Sequence, residues 1–149
     1  MTTNAELYEQ DFFHWTQTTA AQIRAGKWHD IDPESVAEEL ESLGKRDRRE
    51  LESRLEVLIR HLLKWRYQTD RSARRPSWQS TIQEQRRRLA RLLVQSPSLR
   101  PALTETLPEE YTHARQRAHY ETRLPEATFP SACPWTAEQL LDADFWPEG

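Results

Sequence analysis

The sequence predicts an all-α fold, a compact helical bundle with one long central helix and an extended, proline-rich C-terminal segment. Three observations carry that expectation. Apolar residues recur every three or four positions through most of the chain, no stretch shows the two-residue alternation of a half-buried strand, and capping residues stand where the periodic stretches begin and end. Residues 1–149 are expected to form a single domain, since a chain of that length suits one core and no linker-like composition or repeat divides it.

The first helix is expected over residues 5–25. Thr3 and Glu6 stand at capping-box spacing before it, and Gly26 follows as a residue suited to a left-handed C-terminal position. Tyr8, Phe12, Trp15, Ala20 and Ile23 mark its apolar face. The stretch "WHDIDPES" then opens as a short extended link, and Asp32 with Pro33 supplies an N-cap and a proline at the first helical position, where its missing N–H is not needed.

From there Val36, Leu40, Leu43, Leu51, Leu55, Leu58, Leu62 and Trp65 trace one stripe whose phase survives Gly44. The expectation is one long helix, or two nearly collinear helices bent at Gly44. Glu41 with Lys45, Glu50 with Arg54 and Glu56 with Arg60 sit four apart in the favourable order, each pair contributing about 0.2 to 0.5 kcal/mol.

"QTDRSARRPS" ends that helix, because Pro76 biases its predecessor away from helical angles. Trp78, Ile82, Leu89, Leu92 and Leu93 make a third stripe that stops before "QSPSLRP". A short helix near residues 99–106 and another from residue 108 to about 123, carrying Leu107, Tyr111, Ala114 and Ala118, complete the helical part. The tail, with Pro125, Pro130, Pro134 and Pro147, is expected to run extended over the bundle before a last helical turn capped by Thr136 and Gln139. Its anchors are Phe129, Trp135, Leu140, Phe145 and Trp146.

Composition narrows the function classes. The apolar fraction is 36%, below the usual value of about 45 to 50%, so the core is built from stripes with help from six tryptophans. No apolar run reaches the roughly 18 residues of a membrane span, and "MTTNAELYEQDFF" lacks the regions of a signal peptide. Cys133 is the only cysteine, which excludes an intramolecular disulfide and agrees with a reducing compartment. A cytoplasmic protein with no membrane contact is expected.

Charge is unevenly spread. Residues 45–100 hold 16 Lys and Arg against 6 Asp and Glu, and the remainder holds 5 against 18. Blocks of opposite sign can neutralise each other within one fold, so a basic middle does not by itself call for an anionic partner.

Nucleic-acid binding would use the basic block at residues 60–91, with arginines on phosphates and exposed aromatic faces for stacking. Helical phase places Trp65 and Trp78 on the apolar stripes and turns Arg87 and Arg91 away from them, with Arg86 and Arg88 flanking. The aromatics therefore read as core. Arg71, Arg74, Arg75, Arg87 and Arg91 remain the candidate phosphate contacts.

Other chemistries find no constellation. His14, His29, His61, His113 and His119 form no metal-binding spacing, and three glycines cannot write a phosphate-cradling loop. Cys133 lies between prolines with no basic cluster to lower its pKa. Glu34, Glu38 and Glu41 recur at helical spacing near a helix N-terminus and read as a solvated face. A hydrolytic site would require Glu38, Glu41 and His61 to converge in one pocket. No catalytic, cofactor-binding or metal-ligating residue is assigned, and no cofactor is expected.

The segments "LYEQDFFHW", "DPESVAEELESLGKRDRRELESRLEVLIRHLLKW", "SWQSTIQEQRRRLARLL", "SPSLRP" and "FPSACPWTAEQLLDADFWP" together resemble the bacterial family called domain of unknown function 29, from about Leu7 to Pro147. The resemblance implies a compact all-helical domain in bacterial cytoplasm, without an established activity, cofactor or catalytic residue. The most family-typical positions are Glu38, Glu39, Glu41, Ser42, Leu43 and Gly44, then His61 to Trp65, then Trp78, Ile82, Glu84, Gln85 and Arg86. The function expected is a non-enzymatic helical interaction or regulatory module acting through protein partners. Nucleic-acid binding through residues 60–91 is the alternative and a hydrolytic enzyme the third reading.

Overall fold

A computed structural model describes residues 2–68 and 74–148 and is all-α, with no strand among the described residues. Six α-helices follow in order: α1 (Asn4–Gln10), α2 (Phe12–Arg24), α3 (Pro33–Tyr67), α4 (Arg75–Gln95), α5 (Arg100–Thr122) and α6 (Ala137–Leu141). Short 3-10 turns fall at Trp28–Asp30, Pro97–Leu99 and Glu126–Thr128. The residues group into two units, Met1–Arg46 and Asp47–Gly149. No helix among the described residues is long and apolar enough to cross a membrane.

In the first unit, the helix expected over residues 5–25 is two helices. Thr3 opens α1 with the expected capping box, its hydroxyl accepting from Glu6 N–H while the Glu6 carboxylate accepts from Thr3 N–H. Asp11 then ends α1 and caps α2, taking the backbone N–H of His14 at 3.1 Å with its own φ at −149°. An Asp side chain that can cap a new turn competes with helix continuation, and here it wins. Gly26 closes α2 at φ +72°. The N–H of Gly26 reaches Ile23 O and that of Lys27 reaches Gln22 O, the paired bonds of a Schellman end.

The link after Gly26 is a 3-10 turn rather than extended chain. Asp32 caps α3 as expected, its Oδ2 accepting from both Ser35 N at 3.2 Å and Ser35 Oγ at 2.6 Å. Asn4 holds the unit together. Its Oδ1 accepts from Trp15 Nε1 at 3.0 Å and Asp32 N at 2.9 Å, and its Nδ2 donates to Thr19 Oγ1 at 3.0 Å. One side chain thereby joins α1, α2 and the start of α3.

Helix α3 runs through Gly44 without a break, one helix of 35 residues. In the second unit its stripe is fully buried at Leu51, Leu55, Leu58 and Leu62. Against it lie Trp78, Ile82, Leu89, Leu92 and Leu93 of α4 and Leu103, Tyr111, Ala114 and Ala118 of α5. This is the main core, and its positions follow the periodic stripes.

Helix α5 corrects the expectation of two short helices meeting at Pro108. It is one helix with Pro108 inside. Pro108 removes the bond to the carbonyl of Thr104, but both residues are exposed, so water can take that carbonyl. Buried contacts on either side, Leu103 and Thr106 before it and Tyr111 and Ala114 after it, hold the two halves in line.

The C-terminal segment carries α6, whose N-cap Thr136 forms the expected capping box with Gln139. Phe129, Trp135 and Leu140 are buried and belong to the core, with Phe145 and Trp146 half-buried against it. Phe129 meets Tyr67 edge-on at 5.7 Å, and Trp146 lies 4.7 Å from Trp65.

Candidate functional site

The first unit exposes much of its apolar surface. Among the described residues eight large hydrophobic side chains are exposed, and Phe12, Phe13, Ile23, Trp28, Leu40 and Leu43 belong to this unit. Trp15 is its only buried large hydrophobic among the described residues. Tyr8, Phe12 and Trp15 form an aromatic set with ring centroids 4.6 to 5.8 Å apart, and the Tyr8 hydroxyl donates to Glu39 at 3.1 Å. Phe13 is 73% exposed and Trp28 63%. The unit's sequence carries nine carboxylates, Glu6, Glu9, Asp11, Asp30, Asp32, Glu34, Glu38, Glu39 and Glu41, against Arg24, Lys27, Lys45 and Arg46. The unit thus combines exposed apolar side chains with an excess of negative charge.

The basic block is partly neutralised within the second unit. Arg87 pairs with both Glu84 oxygens at 2.8 Å, and Arg88 donates to the same carboxylate. Those bonds, Arg88 first and then Arg87, hold the Glu84 carboxyl down at about 2. Arg75 stacks over the Trp65 ring at 4.0 Å. Arg54 is tied to Glu50 and Gln85, while Arg60 and Lys64 share Glu121 at 2.8 and 2.6 Å. Of the five candidate phosphate contacts, Arg74, Arg75, Arg87 and Arg91 are exposed, and Arg71 lies outside the described residues. Arg74 and Arg91 form no ion pair among the described residues. Trp65 and Trp78 are buried in the core, as their phase implies.

Arg86 is different in kind. It is 3% exposed, its Nε donates to Leu140 O at 2.8 Å, and its Nη2 to Gln139 O at 3.3 Å. The guanidinium also faces the Trp146 ring at 5.5 Å. It neutralises the C-terminal end of α6 from inside the core. Wheel projection set it at the flank of the α4 stripe, yet Trp78, Ile82, Arg86, Leu89 and Leu93 run 4, 4, 3 and 4 apart, all buried. That spacing was the available signal.

A polar groove of about 360 Å³ lies between α3 and α5, lined by Ser53, Glu56, Glu110, His113, Gln116 and Arg117. Glu56 and Glu110 are both buried. Burial raises the Glu56 carboxyl above its ordinary range despite Arg60 at 3.5 Å and Arg117 at 4.0 Å. Its Oε1 makes no hydrogen bond among the described residues. Glu110 pairs with His113 Nδ1 at 3.2 Å.

The hydrolytic constellation is not assembled along α3. Glu38 and Glu41 are exposed near its start, and His61 follows more than five turns later on the same helix. His61 is half-buried with Nδ1 against Val57 O at 2.8 Å, and burial lowers its pKa. Burial likewise raises the Cys133 thiol, which donates to Trp135 O. Among the described residues no group of three or more His, Cys, Asp or Glu is arranged to hold a metal ion.

A family model described as "Domain of unknown function DUF29" matches residues 7–146, nearly the whole chain. No curated protein and no solved structure matches it.

Proposed function

The chain belongs to the DUF29 family, and from that premise we propose a non-enzymatic helical module of the bacterial cytoplasm that works through protein contacts. The observation that carries this reading is the concentration of exposed aromatic and aliphatic side chains in residues 2–46, around Phe12, Phe13 and Trp28. Aromatic anchors contribute most of the energy of protein interfaces, and here Phe13 and Trp28 leave most of their surface in solvent. The unit's excess of carboxylates favours a partner segment with apolar anchors and flanking Lys or Arg. The single thiol of Cys133, half-buried, suits a reducing compartment.

The test places a photoreactive residue at position 13 or 28 of the full chain in bacterial cells. Both positions are expected to capture the same protein, and Phe13→Ser combined with Trp28→Ser should abolish capture. Unrelated products from the two positions, unchanged by the double substitution, would remove the reading.

A second reading keeps residues 60–91 as a nucleic-acid surface, favoured by the exposure of Arg74 and Arg91 without carboxylate partners among the described residues. Fluorescence anisotropy with labelled DNA and RNA at low and physiological salt decides it. Binding should weaken steeply with salt, and Arg74→Glu with Arg91→Glu should flatten that slope.

A further inference from the structure

The apolar stripe of α3 is covered along its later turns and bare at Leu40 and Leu43. Leu51, Leu55, Leu58 and Leu62 are fully buried, while Leu40 and Leu43, in phase with them, are 63% and 39% exposed. Gly44 follows, and a methyl group added to it would meet nothing within 4 Å, so another backbone can approach closely there. Charge along this stretch reverses sign at Gly44. Glu34, Glu38, Glu39 and Glu41 precede it, and Lys45, Arg46, Arg48 and Arg49 follow, with Asp47 and Glu50 among them.

We propose that this face binds a second copy of the chain, α3 against α3 in antiparallel register, with Leu40 of each copy beside Leu43 of the other. A parallel copy would set Glu39 and Arg46 against Ala37 and Gly44 of the partner's other flank, with no charge pairing. Antiparallel packing about a two-fold axis near residues 42 and 43 brings the acidic stretch of each copy over the basic stretch of its partner. Helical projection places Glu39 and Arg46 on the same flank of the stripe, and the two-fold joins equal flanks at nearly equal height. Each Glu39 therefore meets Arg46 of the partner copy. On the other flank stand Ala37 and Gly44, both small enough for close approach.

This inference rests on reading the first unit as a contact surface and names the occupant of its α3 face. A contact of about three helical turns, Ala37 to Arg46, falls at the small end of specific interfaces, so dissociation constants of about 10 to 100 µM are expected.

Sedimentation equilibrium of the full chain tests it, with circular dichroism to confirm that each variant stays folded. The wild-type chain should show a monomer–dimer equilibrium. Glu39→Arg, Arg46→Glu and Leu40→Gln should each weaken it at least tenfold. An equimolar mixture of the Glu39→Arg and Arg46→Glu chains should dimerise again, because the exchanged charges are complementary only across the mixture. Should Glu39→Arg lose helicity through its lost bond to Tyr8, Arg46→Glu and Leu40→Gln decide the outcome. A wild-type chain monomeric up to about 500 µM, or dimerisation indifferent to the folded variants, overturns the inference. A monomer leaves the capture experiment through positions 13 and 28 untouched, so the two ideas fail separately.

Discussion

Arg86 Nε donates to the carbonyl of Leu140 at 2.8 Å, which ties the middle of α4 to the last turn of α6. The same guanidinium reaches Gln139 O and faces Trp146, so one buried cation organises the C-terminal segment. Replacing it by Ala leaves the buried Leu140 carbonyl without that donor, while Gln139 O keeps the backbone N–H of Asp142. Arg86→Ala should lower unfolding free energy by about 2 to 4 kcal/mol in urea titrations. Arg86→Lys should recover only part, since one ammonium cannot repeat the fork. A loss under 1 kcal/mol would mean that α6 docks through Leu140 alone.

Asn4 is the corresponding hub of the first unit, accepting from Trp15 and Asp32 and donating to Thr19. Asn4→Ala strips a partner from two donors and should cost about 1 to 3 kcal/mol in that unit. Asn4→Asp keeps the acceptor and loses the donor, so its cost should be smaller. Hydrogen exchange at Asp32 and the emission of Trp15 report the change, and equal effects of both substitutions would refute the assignment.

Glu56 and Glu121 should respond to pH in opposite directions. Burial dominates at Glu56 and raises its folded pKa, so its ionisation destabilises the fold as pH rises through that value. Glu56→Gln should be more stable than the wild-type chain near neutrality, with the gap closing as pH falls below the ordinary carboxylate range. At Glu121 burial is outweighed by Lys64 and Arg60, and the folded pKa is lowered. Its contribution is present above the ordinary value and lost as pH falls through the lowered one. Glu121→Gln should cost about 0.5 to 1 kcal/mol at neutral pH, discounted for its partial exposure, and nothing in strong acid. Thermal melts across that pH range separate the two, and shifts of the same sign would defeat the account.

Pro108→Ala should stabilise the protein. The substitution returns the missing N–H to Thr104 O inside an unbroken helix, worth about 1 to 3 kcal/mol less the greater freedom of the unfolded chain. A neutral or negative result in chemical denaturation would show that α5 is already adapted around the gap.

Much of the architecture could be read from residues that act on their own neighbours. Thr3, Asp32 and Thr136 cap where their spacing predicts, and Gly26 takes the left-handed turn that only glycine adopts without strain. Such caps are chemistry between residues two or three apart, so no tertiary information is needed. Pro108 and Asp11 misled because each sends a local signal with two outcomes. Asp11 ends a helix that apolar spacing would continue, while Pro108 is overruled by packing on both sides.

The exposed apolar surface was less legible. Leu40 and Leu43 carry the same phase as Leu51 and Leu55, and periodicity cannot tell a covered stripe from a bare one. The sequence by itself determined the helices, the phase of their apolar faces and most of their ends, since those depend on bonds closed within a few residues. Only the tertiary structure decided which parts of each stripe are buried, and that Phe13 and Trp28 lie outside. Burial is settled by what other segments bring against a face, and that partner is distant in sequence.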